Sequence, residues 1–322
     1  MKRTEARAPT STFGEPTIRQ RSEWEEAFRR LRRNKAAMLG LAVIVTLAVL
    51  AIAAPLVAPF HFADDHLEDN FTGPGSKYLL GTDFLGRDVL SRLIYGTRVS
   101  LTIGVAGATM ATIIGVTWGT IAAYRGGFTD SVMMRFVDLM YGFPTLLLII
   151  LIMVFFRANV DPSSEGSFSL RETLRSLDLA LGSLLFIFIG IAITSWMTTA
   201  RLVRGLVLSL KEQEFVNAAR ALGASDRRII LRHLLPNFLG PVIVAETLNI
   251  PTYILFEAFL SFIGLGVNPP VPSWGAMINE GVQAMRSSPH LVLFPSLTMV
   301  LALLSFNFLG DGLRDALDPR MR

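Results

Sequence analysis

The chain has 322 residues, of which 51% are hydrophobic and 17% charged, with a mean hydropathy of +0.48. Soluble domains run near roughly 25% charged residues, so this composition excludes an ordinary pair of soluble domains. The absence of cysteine excludes a disulfide scaffold, a thiolate metal site and a cysteine nucleophile, and the net charge of +4 is a question of membrane topology before it is one of nucleic acid.

Residues 1–35 form a basic tail. Within it Ser22-Glu23-Trp24-Glu25 has capping-box spacing, and Trp24, Phe28 and Leu31 follow at i, i+4 and i+7 amid Arg29, Arg30, Arg32 and Arg33. This predicts an amphipathic helix with its apolar stripe in lipid and its arginines on anionic headgroups. Nearly charge-free runs then occupy 36–60, 99–123, 139–156, 179–200, 238–267 and 291–309. Each is close to the roughly 20 residues that a helix needs to cross about 30 Å of hydrocarbon. The chain therefore reads as an all-α membrane protein with six transmembrane helices. The first run is longer, and its charged leader far longer, than a signal peptide requires, so Ala51-Ile52-Ala53 is read as part of an uncleaved span.

Between the first two spans, residues 61–98 make a loop with a second amphipathic helix. It begins near Asp83 and places Leu85, Val89 and Leu93 on one face, with Arg87, Asp88 and Arg92 elsewhere. His61 and His66 flank Asp64 and Asp65, which reads as an acidic solvated loop. Residues 99–309 form the transmembrane core, in which 161–177 is a polar outer loop. Pro241 and Pro251 in the overlong fifth run predict a kink or break near Ile250. Residues 310–322 are a terminal tail. Of 30 lysines and arginines, 22 lie in 1–35, 124–135, 201–237 and 310–322; the positive-inside rule puts both termini and the 201–237 loop in the cytoplasm.

Several kinds of chemistry are missing. None of Lys2, Lys35, Lys77 and Lys211 follows a glycine, so there is no P-loop, and neither a zincin motif nor a nucleophile elbow occurs. The ionisable groups inside the spans are Glu246 and Glu257, eleven residues apart and near one helical face. They support one reading as a stand-alone ion-coupled carrier. The other reading places Glu257 near the outer end of its span, against a polar neighbour or a water-filled cavity.

The 201–237 loop reads as helix, small-residue turn, helix and proline stop. Gly223 suits the left-handed position after a helix, Ser225 or Asp226 can cap the next one, and Pro236 discourages its continuation. Small residues at Ala218, Ala219, Ala221 and Gly223 allow another protein to approach the backbone closely.

This segment resembles the cytoplasmic signature of ABC-importer membrane subunits, Glu-Ala-Ala, three residues, Gly, nine residues, Ile-x-Leu-Pro. It matches at Ala218, Ala219, Gly223, Leu235 and Pro236, with Asn217 in place of Glu and His233 in place of Ile. Leu80-Gly81-Thr82-Asp83 through Tyr95-Gly96, Glu257 through Val267, Pro272 through Met277 and Asn307 through Arg320 are similar to motifs of the C-type permease of dipeptide, oligopeptide and nickel importers. The resemblance implies a type I ABC importer permease fold with a cytoplasmic coupling helix. Its ATPase-coupling residues would be Asn217, Ala218, Ala219, Arg220, Ala221, Leu222, Gly223, Ala224, Ser225, Asp226 and Pro236. Glu246, Pro251 and Glu257 are candidates for the pore or gate. Implied partners are a homologous B-type permease, two cytoplasmic ATPases, an extracytoplasmic substrate-binding protein and the lipid bilayer, with no nucleic acid. The chain would be no enzyme and bind no cofactor of its own, ATP and magnesium residing on the ATPases. It would be a multi-pass protein of the bacterial inner membrane, forming half of a pore for di- and oligopeptides, a nickel chelate or glutathione being alternative cargoes.

Overall fold

A computed structural model of the chain describes residues 23–157, 174, 176–178 and 184–317. Ser22, the start of the fourth run at 179–183, most of the 161–177 loop and the last residues 318–322 lie outside them. The described residues form helices α1 (Glu23–Arg33), α2 (Lys35–Ile52), α3 (Ala54–Val57), α4 (Val89–Arg125), α5 (Gly127–Tyr141), α6 (Thr145–Arg157), α7 (Leu185–Leu210), α8 (Glu214–Ala221), α9 (Leu235–Phe262), α10 (Trp274–Gln283) and α11 (His290–Leu317). Five of these, α2, α4, α7, α9 and α11, are long and apolar enough to cross a membrane, and α5 with α6 makes a sixth crossing bent by 84°.

Packing fixes which ends coincide. Ala27 and Leu31 of α1, Ala37 of α2 and Ala316 of α11 form one cluster. Ala123 of α4, Val207 of α7, Val216 of α8 and Phe238 of α9 form another, and Gly240 of α9 lies beside Leu317. All of this is one end of the bundle, the near end. Val89, Met277 and Leu291 cluster at the far end. The described chain thus starts and stops on one side, as six crossings require.

The helices depart from the expected runs for local reasons. The first span stops at Ile52 instead of reaching residue 60, because Pro55 has no N–H for the Ala51 carbonyl; it opens the separate short helix α3. The segment at Asp83 is a turn, not a helix. Gly86 takes φ +76° there, and Asp88 caps α4 by accepting from Ser91 N at 2.8 Å. From that cap α4 runs 37 residues, so the second amphipathic element is the first part of a span. Gly142 and Pro144 break the third crossing into α5 and α6. At the near end α7 and α11 extend past residues 200 and 309 to Leu210 and Leu317.

One proline expectation changes, and half of another. Pro236 does not stop the second loop helix. Residues Ile229–Leu234 form a π-helical turn in which Leu235 N bonds to the Ile230 carbonyl, five residues back, so the register slips just where Pro236 has no N–H to give. Beyond it α9 passes through Pro241 and Pro251 without a break at Ile250, held by α4, α7 and α11 on its flanks. Of the expected stripe of α1, Leu31 is buried with Ala27 against α11, while Phe28 stays exposed with the Arg32 guanidinium 4.5 Å over its ring.

The most extensive helix pair is α4 with α7. In lipid, helices gain little from hydrophobicity, so close backbone approach through small residues carries the association. A Cβ on Gly119 would strike the Ala200 carbonyl and come within 2.9 Å of Val203 Cβ; one on Gly115 would lie 2.6 Å from Thr199 Cβ. Gly119→Leu should therefore push α4 from α7 and destabilise the bundle by about 1–3 kcal/mol or more. A thermal unfolding series on detergent-solubilised chain would show a lower midpoint for it and an unchanged one for Gly205→Ala, whose Cβ meets nothing within 4 Å.

Candidate functional site

At the near end, α8 grips the bundle through few residues. Glu214 in its first turn and Arg220 in its last match the helix dipole. Val216 and Ala219, one turn apart, are its buried positions, and Val216 clusters with Ala123, Ile229, Leu234 and Phe238. The helix ends in a Schellman motif. Gly223, at φ +78°, donates its N–H to the Arg220 carbonyl at 3.0 Å, and Ala224 donates to Ala219 O at 3.0 Å. Ser225 takes the extended backbone of a cap without a side-chain bond. Asp226 instead accepts from Tyr124 Oη at 2.7 Å, tying the loop to the end of α4.

What α8 does not bury is the notable part. Asn217, Ala218, Arg220 and Ala221 are exposed, as are Ser225, Asp226 and Pro236. Phe215, Leu231 and above all Leu222, 88% exposed, add apolar surface that none of the described residues covers. Asn217 Nδ2 reaches the Glu212 carbonyl at 3.4 Å. The expected coupling residues are thus exposed, apart from the buried Ala219 and the half-buried Ala224. Behind it α5 is clamped to α7: Arg204 donates to both Asp130 oxygens at 2.6 Å, and Arg201 contacts Asp138 at 2.5 Å while lying 4.1 Å from the Tyr141 ring centroid.

The two intramembrane carboxylates are not brought together as a relay. Glu246, 4% exposed, accepts from Thr199 of α7 and from Tyr253 Oη at 3.0 Å. Glu257 is fully buried and accepts from Ser100 Oγ of α4 at 2.9 Å and Ser261 Oγ at 2.7 Å. Each carboxylate stitches α9 to a different neighbour, and Glu257 has polar partners near the far end. Pro251 is buried on the same helix.

The far end holds a network that sequence reasoning missed. Asp83 Oδ1 accepts from Leu85 N at 2.8 Å and Arg87 N at 3.0 Å, while its Oδ2 accepts from Arg87 Nε at 2.7 Å and from Arg92. Arg92 also forks onto Glu280 of α10, at 2.6 and 3.1 Å. Both guanidiniums are only 2% exposed. Arg87 and Arg92 looked like the polar face of a surface helix; a partner 188 positions away in Glu280 leaves no local signal. In the neighbouring loop, hydrogen bonds from Lys77 at 2.6 Å and Tyr78 at 2.9 Å hold the Asp69 carboxyl below the usual carboxylate range.

Residues 115–322 match the family described as binding-protein-dependent transport system inner membrane component, and residues 22–74 match the N-terminal transmembrane domain of oligopeptide transport permease C. The chain is 42% identical to the oligopeptide transport system permease protein OppC of Bacillus subtilis, over 94% of this chain and 91% of that one. It is 41% identical to the dipeptide transport system permease protein DppC of Alkalihalophilus pseudofirmus, over 94% and 91%. To the glutathione transport system permease protein GsiD of Escherichia coli it is 40% identical, over 94% and 92%. Among solved structures, an inward-facing MetNI methionine ABC transporter superposes with a TM-score of 0.53 at 16% identity, over 70% of this chain and 96% of that one, a likeness of fold.

Removing one member of the far-end network strands buried charge. Arg92→Leu leaves Asp83 and Glu280 with Arg87 as their one shared cation and should cost about 3–5 kcal/mol. Thermal unfolding of the purified chain should register that loss, and Lys77→Ala, at an exposed pair, should leave the midpoint within about 0.5 kcal/mol of wild type.

Proposed function

Since the chain belongs to the family of binding-protein-dependent transport system inner membrane components, multi-pass permeases of ABC importers, we propose that it forms half of a pore through which di- and oligopeptides enter the cell. Relatives named for oligopeptide and dipeptide transport, at 41–42% identity across 94% of this chain, support that cargo. The 22 basic residues concentrated in 1–35, 124–135, 201–237 and 310–322 support near-end termini in the cytoplasm. A homologous B-type permease completes the pore, an extracytoplasmic binding protein delivers the peptide at the far end, and two ATPases bearing ATP and magnesium dock at the near end.

The observation that carries the reading is the face of α8 and its turn, between Phe215 and Asp226 and with Leu222 at its crest, that the described residues leave exposed. ATPase closure can drive transport only by binding one permease conformation better than another, typically by about 1–3 kcal/mol. A short helix gripping the bundle at Val216 and Ala219 transmits such a bias as a rigid body. The pore would open by movement of α9, with Pro251 as hinge, since its missing N–H leaves the Thr247 carbonyl without its helical donor. Glu246 and Glu257 would keep α9 in register with α7 and α4 during that movement.

Two measurements test this. Gly223→Val forces a β-branched residue to φ +78°, where L side chains are strained, and Leu222→Lys charges the crest. Both variants should insert normally yet lose the co-purifying ATPases and reduce ATP-driven peptide uptake into vesicles by roughly 5- to 150-fold. Wild-type uptake in both would refute the coupling role. Pro251→Ala should retain the ATPases while slowing uptake, and wild-type rates would remove Pro251 from the gate.

A further inference from the structure

A groove of about 520 Å³ runs down the outside of the bundle between α2 and α4. It extends along α4 from Arg98 to Met110, about 18 Å of helix rise, with Ala48, Ala51 and Ile52 as its opposite wall. Its hydroxyls are already spent: Thr102 Oγ1 donates to Arg98 O at 2.6 Å and Thr109 Oγ1 to Val105 O at 2.8 Å. Water would find few polar partners there, so the groove suits an apolar occupant.

Its far-end mouth is different. Arg98 is exposed there, and among the described residues it has no ion-pair partner. One turn closer to the far end Tyr95 packs on Phe62 at 4.8 Å and His61 at 5.9 Å between ring centroids, an aromatic group of the kind found at headgroup level. Arg98 therefore lies where hydrocarbon gives way to headgroups. The groove beneath it is close to the roughly 15 Å depth of one leaflet's hydrocarbon.

We propose that the α2–α4 groove is a specific phospholipid site, one acyl chain lying along Val105 and Ala106 and an anionic headgroup resting on Arg98. The inference needs neither the peptide cargo nor the ATPase partners. Charge complementarity at a single cation and the matched length of a dry groove distinguish it from general lipid contact.

The test uses full-length chain in nanodiscs of phosphatidylethanolamine with a minority of phosphatidylglycerol, released into detergent and weighed by native mass spectrometry. Wild type should retain one phosphatidylglycerol per chain. Arg98→Gln should lower that retention about fivefold, with recovery in Arg98→Lys. Ala106→Phe, which fills the groove, should lose retention of both lipids. Equal retention by wild type, Arg98→Gln and Ala106→Phe would overturn the proposal. So would a dimer of this chain that Ala106→Phe dissolves, because a second copy would then occupy the groove.

Discussion

The bundle depends on how closely α4 approaches α7. In hydrocarbon the apolar side chains of both helices are equally content against lipid, so dispersion at short range and satisfied polar groups must supply the specificity. Gly115 and Gly119 let α4 reach the backbone of α7 at Trp196 and Ala200. That contact sets the platform on which α9 lies, and α9 reaches one helix through Glu246 and the other through Glu257. A looser α4–α7 seam would leave both carboxylates short of their hydroxyl donors.

Polar groups in the described bundle serve mainly as fasteners. A carboxylate in a low-dielectric interior is tolerated where several donors converge on it, and Thr199, Tyr253, Ser100 and Ser261 provide them. The same logic at higher charge appears at the far end, where Asp83 and Glu280 share two arginines. That network joins the turn before α4 to α10 and so ties a loop to the membrane-embedded core. An ion network is geometrically unforgiving, so it fixes the turn before α4 against α10.

The near end is built to the opposite rule. Its surface helix keeps only Val216 and Ala219 for the bundle and leaves Phe215, Leu222 and Leu231 uncovered. Exposed apolar surface of this kind is what the proposed ATPase contact would cover. The Schellman turn at Gly223 and the Tyr124–Asp226 bond tie that face to the end of α4.

Much of this was legible in the residues. Six apolar runs gave the number of crossings, because span length is set by bilayer thickness; Gly223 announced its turn, because few other residues tolerate positive φ; and the basic residues pointed to an orientation. Boundaries were less legible, since Arg201 and Arg204 look like the end of a span yet belong to a helix that continues to Leu210, with Asp130 and Asp138 neutralising them. Pro236 carried the general rule that proline ends helices, and a π turn overrode it; Pro251 lies inside an unbroken helix among packed neighbours. The Asp83–Arg87–Arg92–Glu280 network and the separate partners of Glu246 and Glu257 were decided by tertiary structure alone. Local sequence determines hydrophobic period, caps and turns through interactions a few residues long; which charge meets which, across more than 150 positions, exists only once the helices have packed.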